Sequence, residues 1–247
     1  MAQNIYDDPA FFAGYAGLER SVQGLDGAPE WASLRAMLPP MAGLRIVDLG
    51  CGTGWFCRWA RAEGAAHVLG LDLSERMLAE ARADGEGIAY ARADLDALEL
   101  PEAAFDLVFS SLAFHYVPDF GRLLGAIRRG LAPGGHLVFS IEHPLLMAPR
   151  APGWRREADG RLTWPVDAYL AEGPRETTWF VPGVVKHHRT LATTLNSLIE
   201  AGFAPTRVEE FGPSNEQVAA RPEWAKERER PMFLLVSARA PDRDPRG

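Results

Sequence analysis

The sequence predicts an α/β protein: a doubly wound parallel sheet with helices on both faces and an insertion late in the chain. Three observations predict it. Short apolar runs alternate with amphipathic stretches from Arg45 to Ile141, and repeated β-α-β units of this kind build such a sheet. Glycines, aspartates and small polar residues stand directly after the apolar runs, at the strand ends where open α/β sheets bind ligands. From about Glu142 to Lys186 the rhythm gives way to a stretch rich in Pro, Gly and Trp.

Each element has its own signal. Arg45-Ile46-Val47-Asp48-Leu49 is a short apolar strand that runs into Gly50-Cys51-Gly52-Thr53-Gly54. Trp55, Phe56, Trp59 and Ala60 then recur at helical spacing. The second strand is His67 to Asp72, and Ser74 is placed to cap a helix whose apolar face is Met77, Leu78 and Ala81. A weak strand covers Ile88 to Ala93 and ends at Asp94. The fourth strand is Phe105 to Ser111, followed by Phe120, Leu123, Leu124, Ile127 and Leu131 on one helix face. Pro133-Gly134-Gly135 reads as a turn into a strand from His136 to Ile141. After the insertion, a helix near Thr190 has Leu191, Leu195, Leu198 and Ile199 on one face and stops at Gly202. Closing strands follow near Pro205–Phe211 and Met232–Arg239, with a charged helical turn from Glu223 to Arg230 between them.

Composition narrows the function. The 247 residues are 47% hydrophobic and 24% charged, ordinary for a soluble globular chain. A net charge of −7 gives no support to nucleic-acid binding, which wants a basic face. Cys51 and Cys57 are the two cysteines, too few for a disulfide framework or a zinc set. The start, Met1 to Asp8, does not read as a signal peptide, and no stretch is long and apolar enough to span a membrane. The expectation is a cytoplasmic monomer or homodimer with a small-molecule partner, no nucleic acid and no membrane.

The glycine loop carries the chemistry. A dinucleotide loop reads G-x-G-x-x-G, and from Gly50 and Gly52 its third glycine falls on Trp55, which disfavours a nicotinamide cofactor. Glycines stand instead at positions 50, 52 and 54, behind Asp48. An acid there suits S-adenosylmethionine (SAM), which has no pyrophosphate and carries an ammonium and a sulfonium. Asp72 at the end of the second strand can accept both ribose hydroxyls. Asp94 can accept the adenine amino group, with Leu73, Met77 and Leu95 enclosing the ring.

This set resembles the class I SAM-dependent methyltransferases. The matching pieces are Val47 to Gly54, Gly70-Leu71-Asp72-Leu73-Ser74, Ala93-Asp94-Leu95, Phe105-Asp106-Leu107-Val108 and Leu131-Ala132-Pro133-Gly134-Gly135. The resemblance implies a Rossmann-like seven-stranded sheet of order 3-2-1-4-5-7-6 with the last strand antiparallel. It implies SAM as cofactor, S-adenosylhomocysteine (SAH) as product, and cofactor contacts from Asp48, Gly50, Cys51, Gly52, Gly54, Asp72, Leu73, Met77, Asp94, Leu95 and Ser110. The pattern is similar to the small-molecule group that includes ubiquinone/menaquinone-biosynthesis-like enzymes, and the cap with Val185 to Thr190 resembles a bacterial subgroup. Tyr6, Phe11, Phe12 and Tyr15 look like a lid over the methionine end of SAM, although packing explains Tyr6 and Tyr15 as readily. Arg20 could meet the SAM carboxylate, but reads better as a surface arginine.

The expected organisation is an N-terminal helical lid (1–43), a SAM-binding core (44–142), a cap that shapes the acceptor site (143–189), the remainder of the core (190–240) and a tail (241–247). Methyl transfer needs an acceptor in line with the S–CH₃ bond, about 3–3.5 Å away, in a site emptied of water. An oxygen acceptor can also need a base, for which histidine is suited near neutral pH. His115, His143 and His188 are the candidates, since they follow the fourth strand, the fifth strand and the cap. His143, His187 and His188 lack a tight ligand spacing, so no metal site is expected. The competing readings are a SAM-binding protein of other activity, a nicotinamide oxidoreductase and a macromolecular methyltransferase.

Overall fold

Seven strands form one sheet in the computed structural model, which describes residues 3–242. Met1, Ala2 and residues 243–247 of the expected tail lie outside the described residues. In chain order the strands are β1 (Arg45–Leu49), β2 (His67–Asp72), β3 (Ala89–Arg92), β4 (Phe105–Ser111) and β5 (Leu131–Glu142). The cap contributes two hairpins, β6 (Arg155–Arg156) with β7 (Leu162–Thr163) and β8 (Gly173–Trp179) with β9 (Val181–His188). The chain closes with β10 (Ala204–Phe211) and β11 (Phe233–Arg239). The sheet runs β3-β2-β1-β4-β5-β11-β10. With the cap strands left out of the count, this is the order 3-2-1-4-5-7-6. β11 pairs antiparallel with both β5 and β10.

The helices are α1 (Pro9–Ala16), α2 (Glu19–Val22), α3 (Trp31–Arg35), α4 (Trp55–Ala62), α5 (Glu75–Asp84), α6 (Phe120–Gly130), α7 (Pro144–Met147), α8 (Leu191–Glu200) and α9 (Asn215–Ala220). None of the described helices is long and apolar enough to cross a membrane. Both faces of the sheet are covered. Val47, Leu49, Val108, Phe139 and Val236 pack toward α6 and α8. Ile46, Leu107, Phe109, Val138 and Leu235 pack toward α3 and α4. This two-sided burial explains why the central strands read as continuous apolar runs. β3 sits at the edge and is mostly exposed, which explains its weak signal.

Helix starts follow local chemistry. Ser74 caps α5 by accepting from Met77 N, Asp119 caps α6 by accepting from Arg122 N, and Thr190 caps α8 by accepting from Thr193 N. Two expectations shift. β5 begins at Leu131 rather than His136: Phe105 pairs with Leu131 and Leu107 with His136, and the expected turn becomes a bulge in which Gly134 takes a φ of +70°. Ile199 is 58% exposed, because only Leu191, Leu195 and Leu198 follow the face that α8 turns to the core.

Candidate active site

The glycine turn is built by backbone geometry. After β1, the amides of Gly50 and Cys51 both donate to Leu71 O, at 2.7 and 3.0 Å. Gly50, Gly52 and Gly54 have φ of +76°, +54° and +80°, a region that only glycine enters at little cost. A side chain on Gly50 would also put its Cβ 2.4 Å from that of Ala113. The turn therefore stays open on the side facing the strand ends.

Asp72 ties this turn to β2. Its Oδ2 accepts from Gly52 N at 2.8 Å and its Oδ1 from Ser74 N at 2.9 Å. Burial raises its pKa, opposed by these amide bonds. Each oxygen retains a lone pair for a ligand hydroxyl. Asp48 lies deeper, 3% exposed, and accepts from the Cys57 thiol at 3.5 Å. Burial pushes its pKa up to about 8, so the neutral acid is the form present at pH 7. The unfolded acid ionises near 3.8, so the stability that Asp48 lends is present below that pH and is lost as pH rises toward 8. Asp48→Asn keeps the neutral shape and does not titrate. It is expected to stabilise the ligand-free protein by about 1–3 kcal/mol at pH 7. Denaturant titrations should show the gap over wild type widening between pH 5 and 8.

A cavity of about 560 Å³ opens at the carboxyl ends of the strands, ample for a cofactor and an acceptor together. One half is walled by Gly50, Gly52, Asp72, Leu73, Met77, Asp94 and Leu95. The other half is walled by His115 and Tyr116 after β4, by Glu142 at the end of β5, and by Arg175, Trp179 and Lys186 from the cap hairpin. Tyr6 joins the halves, its hydroxyl 3.3 Å from that of Tyr116. A second space of about 90 Å³ lies beneath the glycine turn and is walled in part by Asp48, Cys51, Tyr15 and Arg20. Arg20 borders both spaces, and its Nη2 donates to both oxygens of Glu30, at 2.8 and 3.0 Å. It is a half-buried cation on a fully buried carboxylate, not the surface arginine expected.

The half walled by the cap hairpin centres on one ion pair. Lys186 Nζ lies 2.5 Å from Glu142 Oε1, and both residues have little solvent exposure. Nζ also stands 4.7 Å from the Trp179 ring centroid. Burial would raise the Glu142 pKa, but the charge of Lys186 outweighs it and holds the acid below its ordinary value. Burial lowers the pKa of His115 to about 3, so its ring is neutral.

Of the residues singled out in the sequence, Gly50, Gly52, Asp72, Leu73, Met77, Asp94, Leu95, Tyr15 and His115 border the large cavity. Asp48 and Cys51 border the small one. Others fall elsewhere. Gly54 is the N-cap of α4, with Tyr90 packed where its Cβ would be. Ser110 is buried and donates to Leu49 O at 2.7 Å, and its neighbour Ser111 reaches the cavities instead. His143 has both ring nitrogens engaged: Nδ1 accepts from Leu145 N at 3.1 Å, capping α7, and Nε2 meets Glu210 Oε1 at 2.8 Å. His188 donates from Nε2 to Tyr169 O at 2.8 Å. Neither borders the cavity, because the chain turns into α7 at His143 and His188 meets the Tyr169 ring edge-on inside the cap. His143→Ala is expected to cost about 1–2 kcal/mol of stability, as a lost cap does, while SAM affinity by calorimetry stays within twofold.

Sequence reasoning passed over Lys186 and Arg175. Lys186 had a usable signal: it alternates with Val184 and His188 on one face of β9, where a lysine among buried residues needs a partner.

The strand order and the glycine turn after β1 define an α/β protein built on the methyltransferase architecture. A family model described as a methyltransferase domain matches residues 47–139. A SAM-dependent methyltransferase of known structure from Mesorhizobium loti is 65% identical, with a TM-score of 0.85, covering 87% of this chain and 100% of that one. An uncharacterized protein of Haemophilus influenzae is 35% identical over 96% of both chains. The chain belongs to the SAM-dependent methyltransferases. Two relatives with named substrates match more narrowly. A trans-aconitate 2-methyltransferase of Methylobacterium nodulans is 44% identical over 44% of this chain and 43% of its own length. A malonyl-[acyl-carrier protein] O-methyltransferase of Pectobacterium atrosepticum is 35% identical over 50% and 48%. The chain thus spans less than half the length of each of these enzymes.

Proposed function

We propose that the enzyme methylates a small molecule held beneath the cap. The observation that carries this reading is the single cavity in which Asp72 and the glycine turn face one half and the Glu142–Lys186 pair and Trp179 face the other. SAM supplies an already activated methyl group, so the protein's work is positioning and exclusion of water. In this reading Asp72 accepts the ribose hydroxyls, Asp94 and Leu95 meet the adenine with Leu73 and Met77, and Gly50 and Gly52 let the backbone approach the methionine end. Arg20 faces the methionine carboxylate, and Tyr6 and Tyr15 close over it. The segment 1–43 serves as the lid and 143–189 as the acceptor cap.

A small acceptor fits better than a macromolecular one, because the cap hairpin walls the cavity with Trp179 and Lys186. One named relative lends support, a methyltransferase of trans-aconitate, itself a small molecule, whereas the other acts on malonyl-[acyl-carrier protein].

The test is incubation with methyl-labelled SAM and a metabolite extract freed of macromolecules, with Asp72→Ala as the blank. Label in a low-mass product, absent from the blank, is the expected result. Label that transfers only when the macromolecular fraction is restored would overturn the reading.

A further inference from the structure

The neutral ring of His115 has a defined tautomer. The backbone N–H of Glu142 donates to His115 Nδ1 at 3.4 Å, so Nδ1 is an acceptor and the ring proton sits on Nε2. Among the described residues Nε2 has no hydrogen-bond partner, and the residue borders the cavity. His115 thus presents a donor to the acceptor half, not a lone pair.

Among the described residues no other group there offers a base near neutral pH. Tyr6, Tyr15 and Tyr116 are raised by burial and stay protonated. Glu142 is held by Lys186 and kept a weak base. Asp72 is bound by two amides on the cofactor side, and Asp94 and Asp96 lie after β3. The end of β5 and the cap hairpin give the cavity two cations, Lys186 and Arg175, against one acid, Glu142. Lys186 is paired with Glu142, while among the described residues Arg175 has no acid partner and donates only to the carbonyls of Ala148, Pro174, Ala168 and Ala171. An ammonium acceptor would meet net positive charge and could not be deprotonated. An alcohol would lack a group to take its proton.

We propose, resting on the methyl-transfer reading above, that the acceptor atom is a carboxylate oxygen and the product a methyl ester. One carboxylate oxygen is met by Nε2–H of His115 and the Lys186 ammonium, both grouped around Glu142, and the other attacks. The O–CH₃ bond forms as the S–CH₃ bond breaks, and the bonding pair leaves with sulfur. An anion and a sulfonium become a neutral ester and a neutral thioether. No proton moves, so no base is required, and loss of both charges is favoured in a site with little water.

Two measurements test this. Histidine nitrogen NMR of the full chain at pH 7, with His115→Gln to assign the signal, should show Nδ1 unprotonated and Nε2 protonated; an imidazolium or the reverse tautomer would overturn the proposal. The second uses methyl-labelled SAM with three separate pools, of aliphatic di- and tricarboxylates, of primary amines and of phenols. Label should enter the carboxylate pool alone and be released as volatile methanol by mild alkali. Alkali-stable label from the amines or phenols would overturn the carboxylate proposal and leave the methyltransferase reading intact. No transfer to any pool, from protein that binds SAM in a titration, would count against the small-molecule reading itself. Lys186→Met should lower transfer to the carboxylates at least tenfold with SAM affinity within twofold. Equal transfer would remove Lys186 from the site.

Discussion

Asp72→Ala is expected to weaken SAM binding at least tenfold, measured by calorimetry against wild type. Asp72 both shapes the glycine turn and faces the cavity: Oδ2 accepts from Gly52 N, and the residue borders the cavity beside Leu73 and Met77. Hydrogen bonds to a charged acceptor contribute about 1.5–3 kcal/mol each, and about 1.4 kcal/mol is already a factor of ten in affinity. Loss of two ribose bonds clears that threshold even if water replaces part of them. Asp72→Asn keeps one carbonyl acceptor and should fall between. The fold should survive, since burial already disfavours the charged form of this acid. A thermal midpoint of the ligand-free variant near that of wild type would separate lost binding from lost folding. Unchanged affinity would remove the ribose anchor.

Arg20→Ala is expected to cost about 3–5 kcal/mol of stability, because it strands a buried charge without its partner. Glu30 has no exposed side-chain surface, and both of its oxygens accept from Arg20 Nη2. The variant should also bind SAM more weakly, since Arg20 borders both spaces around the glycine turn. Comparison with 5′-methylthioadenosine, which lacks the amino-acid end, separates the two effects. A guanidinium that meets the methionine carboxylate makes the loss larger for SAM than for the truncated ligand. Equal losses would assign Arg20 to the fold alone. Double substitution with Glu30→Gln should recover part of the stability, because it removes the stranded charge.

The core of this molecule was legible because its signals are local. Val47 to Gly54 is both a buried strand and the turn that follows it, and Ser74 declares its helix from one side chain. The strand order came from the resemblance rather than from periodicity, which says nothing of which strands are neighbours. The acceptor half was much less legible. Glu142 and Lys186 lie 44 residues apart and meet only because β9 folds back over the end of β5. His143 is one residue from Glu142, yet the chain enters α7 there and turns its ring onto Leu145 N and Glu210. Position beside a strand end was sound; side-chain direction was not, because a single residue reverses it. Arg20 shows the same limit, since the partner that buries it, Glu30, is joined to it by no helical or strand period.

The most direct measurement is a crystal structure with SAH bound. The ribose hydroxyls are expected on Asp72, the adenine between Met77 and Leu95, and the sulfur directed past Tyr6 toward His115 and Glu142. SAH seated with its adenine against Trp179 and Lys186, or its sulfur turned away from the cap, would contradict this placement.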